Sequence, residues 1–326
     1  MLVGMWPSSF KRIPDDDWTH HPLETLALKY DTVENHGWYK NLDPTVRQLA
    51  EFAGEGHVVI DYSGGTGIFA DRLLRAVGPR RVGIVIVDAS TKFLRLALEK
   101  LGRDERVAFR LIRYLKEPRR LEFVDEVVGL ACDALVSTNA IHLYYDLPDT
   151  LAAWTRALKP GAGVFVQSGN IRNPSARPGE WIIDETVERI HQTAAELAYT
   201  DARWAPYRAA LEDAALMEKH AALRRKYFLP VRPLEYYVDA MARAGFTIRD
   251  AHAATVDART DEWYQFLSVY HEGVLGWVGG SEKVEGAAPS RAAVADRLEL
   301  MARAMDVVFG GRASFPCCWT YVTARR

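Results

Sequence analysis

The chain has 326 residues, 48% of them apolar and 26% charged, and its 41 basic and 43 acidic side chains leave a formal charge of −2, the balance of a globular protein with one large α/β domain or two modest ones. Near-neutrality argues against nucleic acid as a partner, short clusters such as Arg119-Arg120 and Arg224-Arg225-Lys226 reading as solvated helix faces. No apolar run approaches the roughly 18 residues of a membrane span, and Met1 to Pro14 has no basic segment leading into an apolar one, so neither a membrane nor a secretory route is expected and the compartment reads as cytoplasmic.

In chain order, Leu23 to Tyr30 and Pro44 to Phe52 predict two N-terminal helices. From His57 to Val166 short β-branched runs alternate with segments of helical period, the rhythm of βαβ units on a parallel sheet. Strand one is His57 to Asp61, followed by the turn Ser63-Gly64-Gly65-Thr66-Gly67 and a helix through Ala70, Leu73, Leu74 and Val77. Strand two is Val82 to Asp88, and the helix after it starts at Ser90. Strand three is Val107 to Ile112, with an apolar helix around Phe123, Val127 and Leu130 beyond it. Strand four is Ala134 to Thr138; a helix from Leu147 to Leu158 then ends at the breaker Lys159-Pro160-Gly161, and strand five is Gly163 to Val166.

Beyond Asn170 the rhythm turns helical and aromatic as far as Gly245, which predicts an inserted lid. Gly245 to Ile248 opens strand six and Trp319 to Thr323 forms strand seven. Between them lie helices around Glu262 to Val278 and Arg291 to Val308, separated by a glycine-rich piece, Gly279 to Pro289, that reads as a mobile loop. Cys132, Cys317 and Cys318 suggest neither a disulfide framework nor a zinc set, and His191, His220 and His271 lack ligand spacing, so no metal is expected.

A strand ending in an acid, a turn of small residues and a helix N-terminus let a ligand lie against bare backbone beside a positive helix end. Taken only as GxGxxA, with Gly65, Gly67 and Ala70, the turn would equally suit a nicotinamide oxidoreductase. Asp61, six residues before Gly67, changes the balance. It would crowd a pyrophosphate with like charge, but it suits the ammonium of an amino acid moiety.

This stretch resembles the cofactor signature of the class I methyltransferases, which use S-adenosyl-L-methionine (SAM), and the resemblance runs from Val58 to Val166. Asp88, 21 residues after Gly67, matches the acid that holds the ribose hydroxyls in that family. Leu158-Lys159-Pro160-Gly161, Asn139-Ala140-Ile141-His142-Leu143 and Ala244-Gly245-Phe246 resemble its further landmarks. The chain departs from the family in two places: Ser63 stands at the first glycine of the turn, and Ile112-Arg113-Tyr114-Leu115 replaces the usual adenine-binding acid.

The resemblance implies an α/β fold: a Rossmann-like, seven-stranded, mostly parallel sheet with helices on both faces, plus an inserted helical lid. It divides the chain into an N-terminal helical cap (1–56), a SAM-binding core (57–169), the lid (170–244) and a C-terminal part completing the core (245–326). SAM would be held by Asp61, Ser63, Gly64, Gly65, Gly67, Asp88, Ala89 and Asn139, with stacking on Tyr114 or an apolar grip by Leu115 at the adenine. The methyl acceptor would be a small, partly apolar metabolite. His142 is read either as a base beside the methyl group or as a satisfied structural residue, and Asn139 either as a substrate contact or as a turn closer.

Tyr30, Trp38, Tyr39, His142, Trp181 and Tyr227 are the substrate-side candidates. They belong to a wider aromatic set with Trp204, Tyr207, Tyr236, Tyr237, Trp263, Tyr264, Tyr270 and Trp277, most of which should simply pack helices together. Two other readings stay open: SAM chemistry of another kind, such as a methylation-initiated cyclisation, and a non-catalytic SAM-binding scaffold. A homo-oligomer is compatible with the helices after strand six.

Overall fold

The computed structural model describes residues 6–326; Met1 to Met5, part of the start read above for a secretory signal, lie outside the described residues. Helices α1 (Thr25–Asp31) and α2 (Asp43–Phe52) precede β1 (Val58–Tyr62), α3 (Ile68–Val77), β2 (Gly83–Asp88), α4 (Thr91–Leu101) and β3 (Val107–Leu111). The chain continues through α5 (Val124–Val128), β4 (Cys132–Thr138), α6 (Leu147–Ala157) and β5 (Leu158–Ser168). Next come α7 (Glu185–Thr200), α8 (Arg208–Glu212), α9 (Ala214–Tyr227), α10 (Leu234–Arg243) and β6 (Thr247–Arg259). The last part is α11 (Thr260–Val269), α12 (His271–Leu275), α13 (Glu282–Glu285), α14 (Arg291–Phe309) and β7 (Ser314–Arg325).

The seven strands form one sheet in the order β6-β7-β5-β4-β1-β2-β3. Strands β1 to β5 are parallel and β7 runs antiparallel between β5 and β6, as the sequence predicts for a Rossmann-like sheet. The run Val58-Val59-Ile60-Asp61-Tyr62 is buried throughout, which is why it reads as an unbroken apolar stretch with one acid in it. One sheet face packs on α5, α6 and α10 through Val128, Leu151, Trp154, Tyr237 and Met241. On the other face, Leu49, Phe69, Leu73 and Leu94 from α2, α3 and α4 join one apolar cluster with Ile190, Trp263 and Met301 of the inserted helices.

Three details differ from the sequence reading. Strand five starts at Leu158, directly after α6, so Lys159-Pro160-Gly161 does not separate helix from strand; it makes a bulge with Gly161 at φ 79°. The covering layer has two sources, because α14 runs along α7 and their apolar residues share a cluster, while α10, counted above within 170–244, packs on the opposite face. The segment Gly279 to Pro289 is not a loose loop: it contains α13, and the buried Arg297 guanidinium donates to the carbonyl of Val278 at 2.7 Å and to that of Gly280. Among the described residues no helix is long and apolar enough to cross a membrane, and no cluster of three or more metal-ligating side chains occurs.

Candidate active site

The C-terminal ends of β1 and β2 carry two acids a short way apart. Asp88 is tied to backbone: its Oδ2 accepts from Gly65 N at 2.9 Å and its Oδ1 from Ser90 N at 2.7 Å, with the Ala89 N–H also facing the carboxylate. Asp61 is different, since both of its carboxylate oxygens are buried without a hydrogen-bond partner. Burial, and then the charge of Asp88, push the Asp61 carboxyl up to about 7. Two neighbouring acids, one of them unsatisfied, form a site that favours a cation.

The turn above them is shaped by what its residues must avoid. Gly65 and Gly67 take φ 56° and 80°, where a side chain is strained, and a Cβ on Gly64 would stand 2.7 Å from Asp61 Oδ2. Ser63 shares the left-handed conformation at φ 60°. Its Oγ accepts from the Tyr144 hydroxyl at 3.0 Å, and that hydroxyl bonds Ser137 Oγ at 2.9 Å, so this serine is fastened to α6's approach. Gly67 then opens α3, whose first N–H groups face the turn.

Next to the strand tips lies a cavity of about 290 Å³. Its floor is made by residues that follow the strands: Phe93 after β2, Asn139 and His142 after β4, and Gly169 and Asn170 after β5. Its walls are aromatic, from the N-terminal cap (Tyr30, Trp38, Tyr39), from the helices (Tyr227, Phe228, Trp263, Phe266, Tyr270) and from β7 (Trp319). Asp184, just before α7, brings a carboxylate to it.

Hydrogen bonds fix the polar floor. Asp184 N donates to Asn170 Oδ1 at 2.9 Å, which orients the amide so that Asn170 Nδ2 lies 3.0 Å from His142 Nε2. That ring nitrogen must therefore accept, and His142 Nδ1 carries the hydrogen and donates to Ser168 Oγ at 3.0 Å. Burial pushes His142 down to about 3, so the ring is neutral with both nitrogens engaged. Asn139 adopts φ 52°, and its Oδ1 accepts from Trp319 Nε1 at 3.2 Å and from Asn41 Nδ2 at 3.4 Å. It closes the turn after β4 and lines the cavity at once.

The structure thus gathers Asp61, Ser63, Gly64, Gly65, Gly67, Asp88 and Ala89 at the strand tips, and Tyr30, Trp38, Tyr39, Asn139, His142 and Tyr227 around the cavity. Trp181 is not among the lining residues. It pairs with Cys317 in an isolated bridge, and its ring meets Phe309 of α14 edge-on. Tyr114 and Leu115 form a two-residue strand paired with Arg120-Leu121, and Tyr114 is exposed. Residues with no sequence signal are Asp184, Ser168 and Asn170, which read as ordinary polar positions, and Phe93, Phe228, Phe266 and Trp319, which are indistinguishable from core aromatics until the helices are placed.

Residues 60–166 match the family model of a methyltransferase domain. No curated protein matches the sequence. Among solved structures, the YcgJ protein of Bacillus subtilis is similar at a TM-score of 0.50 and 15% identity, over 88% of this chain and 98% of that one. A putative methyltransferase of Bacillus halodurans C-125 gives 0.48 and 15%, over 86% and 97%. A Haemonchus contortus phosphoethanolamine N-methyltransferase 2 in complex with SAM gives 0.47 and 16%, over 92% and 56%.

Proposed function

Starting from the class I SAM-dependent methyltransferase domain that this chain carries, we propose that it transfers a methyl group to a small, partly apolar acceptor seated in the aromatic cavity. The observation that carries this reading is the unsatisfied Asp61 carboxylate beside Asp88, at the same end of the sheet from which residues following β2, β4 and β5 line the cavity.

The residues at the tips fit SAM. Asp61, buried with no partner, suits the cofactor's ammonium, and the glycine turn leaves room for its backbone-like amino acid part. Asp88 keeps acceptor capacity for the ribose beyond that used by the backbone donors Gly65, Ser90 and Ala89. Exposed Tyr114 is free to cover the adenine. When bound, SAM supplies an electrophilic methyl on a positively charged sulfur.

The chain's own contribution is alignment and exclusion of water. Trp38, Trp263 and Trp319 are buried and hold an apolar wall, and Asn139 is fixed between the cap and β7. With no free ring nitrogen, His142 is assigned to positioning: it holds Asn170, which in turn holds Asp184. Titration calorimetry tests the reading. SAM should bind, and Asp88→Ala should weaken binding about 10- to 100-fold through loss of charge-assisted hydrogen bonds. No binding to the intact protein, or unchanged binding by the variant, would overturn it.

A further inference from the structure

We propose that the acceptor carries an organic cation, an ammonium or guanidinium group on an apolar stem, with Asp184 as that group's counter-ion inside the aromatic cavity; the cation anchors the molecule, and the methyl goes to a neutral atom elsewhere on it that has a lone pair. This deepens the methyl-transfer reading above and rests on it.

The Asp184 side chain is only 10% exposed, and it lines the aromatic cavity. The nearest titratable group is His142, whose Nε2 lies 3.9 Å from Asp184 Oδ2. That imidazole is neutral and uses Nε2 to accept from Asn170, so it supplies no positive charge. Among the described residues no lysine or arginine forms an ion pair with Asp184. Asn170 satisfies part of the carboxylate but brings no charge either. A buried carboxylate without a cation is costly, and burial accordingly pushes Asp184 up to about 7. Asp184 also borders a surface groove with Arg224 and Arg225, but those guanidinium groups pair with Glu188 and Glu218, so the missing charge is left to come through the cavity.

The walls favour the same ligand. Trp38, Trp263, Phe266, Tyr270 and Trp319 line the space, and aromatic rings attract a cation and do nothing comparable for an anion. A neutral acceptor would leave the carboxylate unpaired, and an acid would meet it with like charge. Lys226 is the one basic side chain lining the cavity among the described residues. It is exposed to solvent, where its repulsion is screened, whereas Asp184 acts across a desolvated space.

Phenethylamine and 2-phenylethanol are suitable probes because they differ in little more than ammonium against hydroxyl. With the protein saturated by S-adenosylhomocysteine, the amine is expected to bind at least about tenfold more tightly than the alcohol. Asp184→Asn should bring the ratio to about one while leaving S-adenosylhomocysteine binding unchanged. Phe266→Leu, which removes one aromatic ring from the lining, should lower the ratio roughly threefold. An amine that binds the unaltered protein no better than the alcohol, including one that does not bind, overturns the proposal without any variant. So does a ratio that survives Asp184→Asn. The S-adenosylhomocysteine titration on the same sample separates the two readings: binding without amine preference sinks only this inference, and no binding sinks the methyl-transfer reading and this one with it.

Discussion

Position 63 shows how a single side chain is kept in an unfavourable backbone conformation. Ser63 sits at φ 60°, and what offsets that strain is the hydrogen bond from Tyr144. Ser63→Ala keeps the strain and loses the bond, so it should destabilise the protein by about 1–2 kcal/mol, while Ser63→Gly loses both and should be close to neutral. Urea unfolding of the pair checks the order; an alanine variant as stable as the glycine one would contradict it. At Asp61 the folded-state carboxyl is raised to about 7, above the ordinary carboxylate range it has when unfolded. The folded state therefore holds the proton longer, and the stability contributed by this group is complete below about pH 4 and is lost as pH rises to about 7. Asp61→Asn should accordingly be near neutral at about pH 4.5 and stabilise the ligand-free protein by roughly 1–3 kcal/mol at pH 8, with loss of SAM binding. Equal stability of variant and parent at both pH values would show that no charge is buried there. Asp61, Asp88 and the glycine turn were legible in the sequence because their order along the first two strands, together with the family resemblance, ties them to one crevice. Asp184 was not, since nothing local separates a carboxylate facing a cavity from one facing solvent.

Among the elements, the central parallel strands declared themselves because burial on both faces demands unbroken apolar runs such as Val82 to Val87. Strand β6 did not. It is an edge strand, polar and largely exposed along Arg249-Asp250-Ala251, so only its first residues carried a signal, although it spans 13 residues against β7. The inserted helices were recognisable as helices, but which face each one packs against depends on contacts far apart in sequence. Arg297 is the clearest case: a charged residue in a helical run reads as solvated, yet its guanidinium is fully buried, bonds His271 Nδ1 at 2.9 Å and fastens the segment after α12. Arg297→Ala should release that segment, costing about 2–4 kcal/mol. Hydrogen exchange should become much faster between residues 271 and 290, with β1 and β2 little changed. Unchanged protection there would mean the arginine is not what holds the segment.

For the molecule as a whole, the N-terminal cap is the part that joins strand tips to helical cover. Lys100 holds Asp31 at 2.9 Å, Arg72 donates to Tyr39 O at 3.0 Å, Gly37 N donates to Glu262 at 2.8 Å and Tyr321 donates to Asn41 O at 2.9 Å. The cap is thereby tied to α3, α4, α11 and β7 together, and its aromatic residues close the cavity above the sheet. A ligand that bridges these parts should stabilise all of them by mass action. The most direct measurement is the electron density of a crystal grown with S-adenosylhomocysteine. The account predicts the ribose hydroxyls on Asp88, the amino group on Asp61 and the sulfur facing the cavity beside Asn139. Density for that compound elsewhere, or Asp61 and Asp88 left without contact to it, would contradict the account.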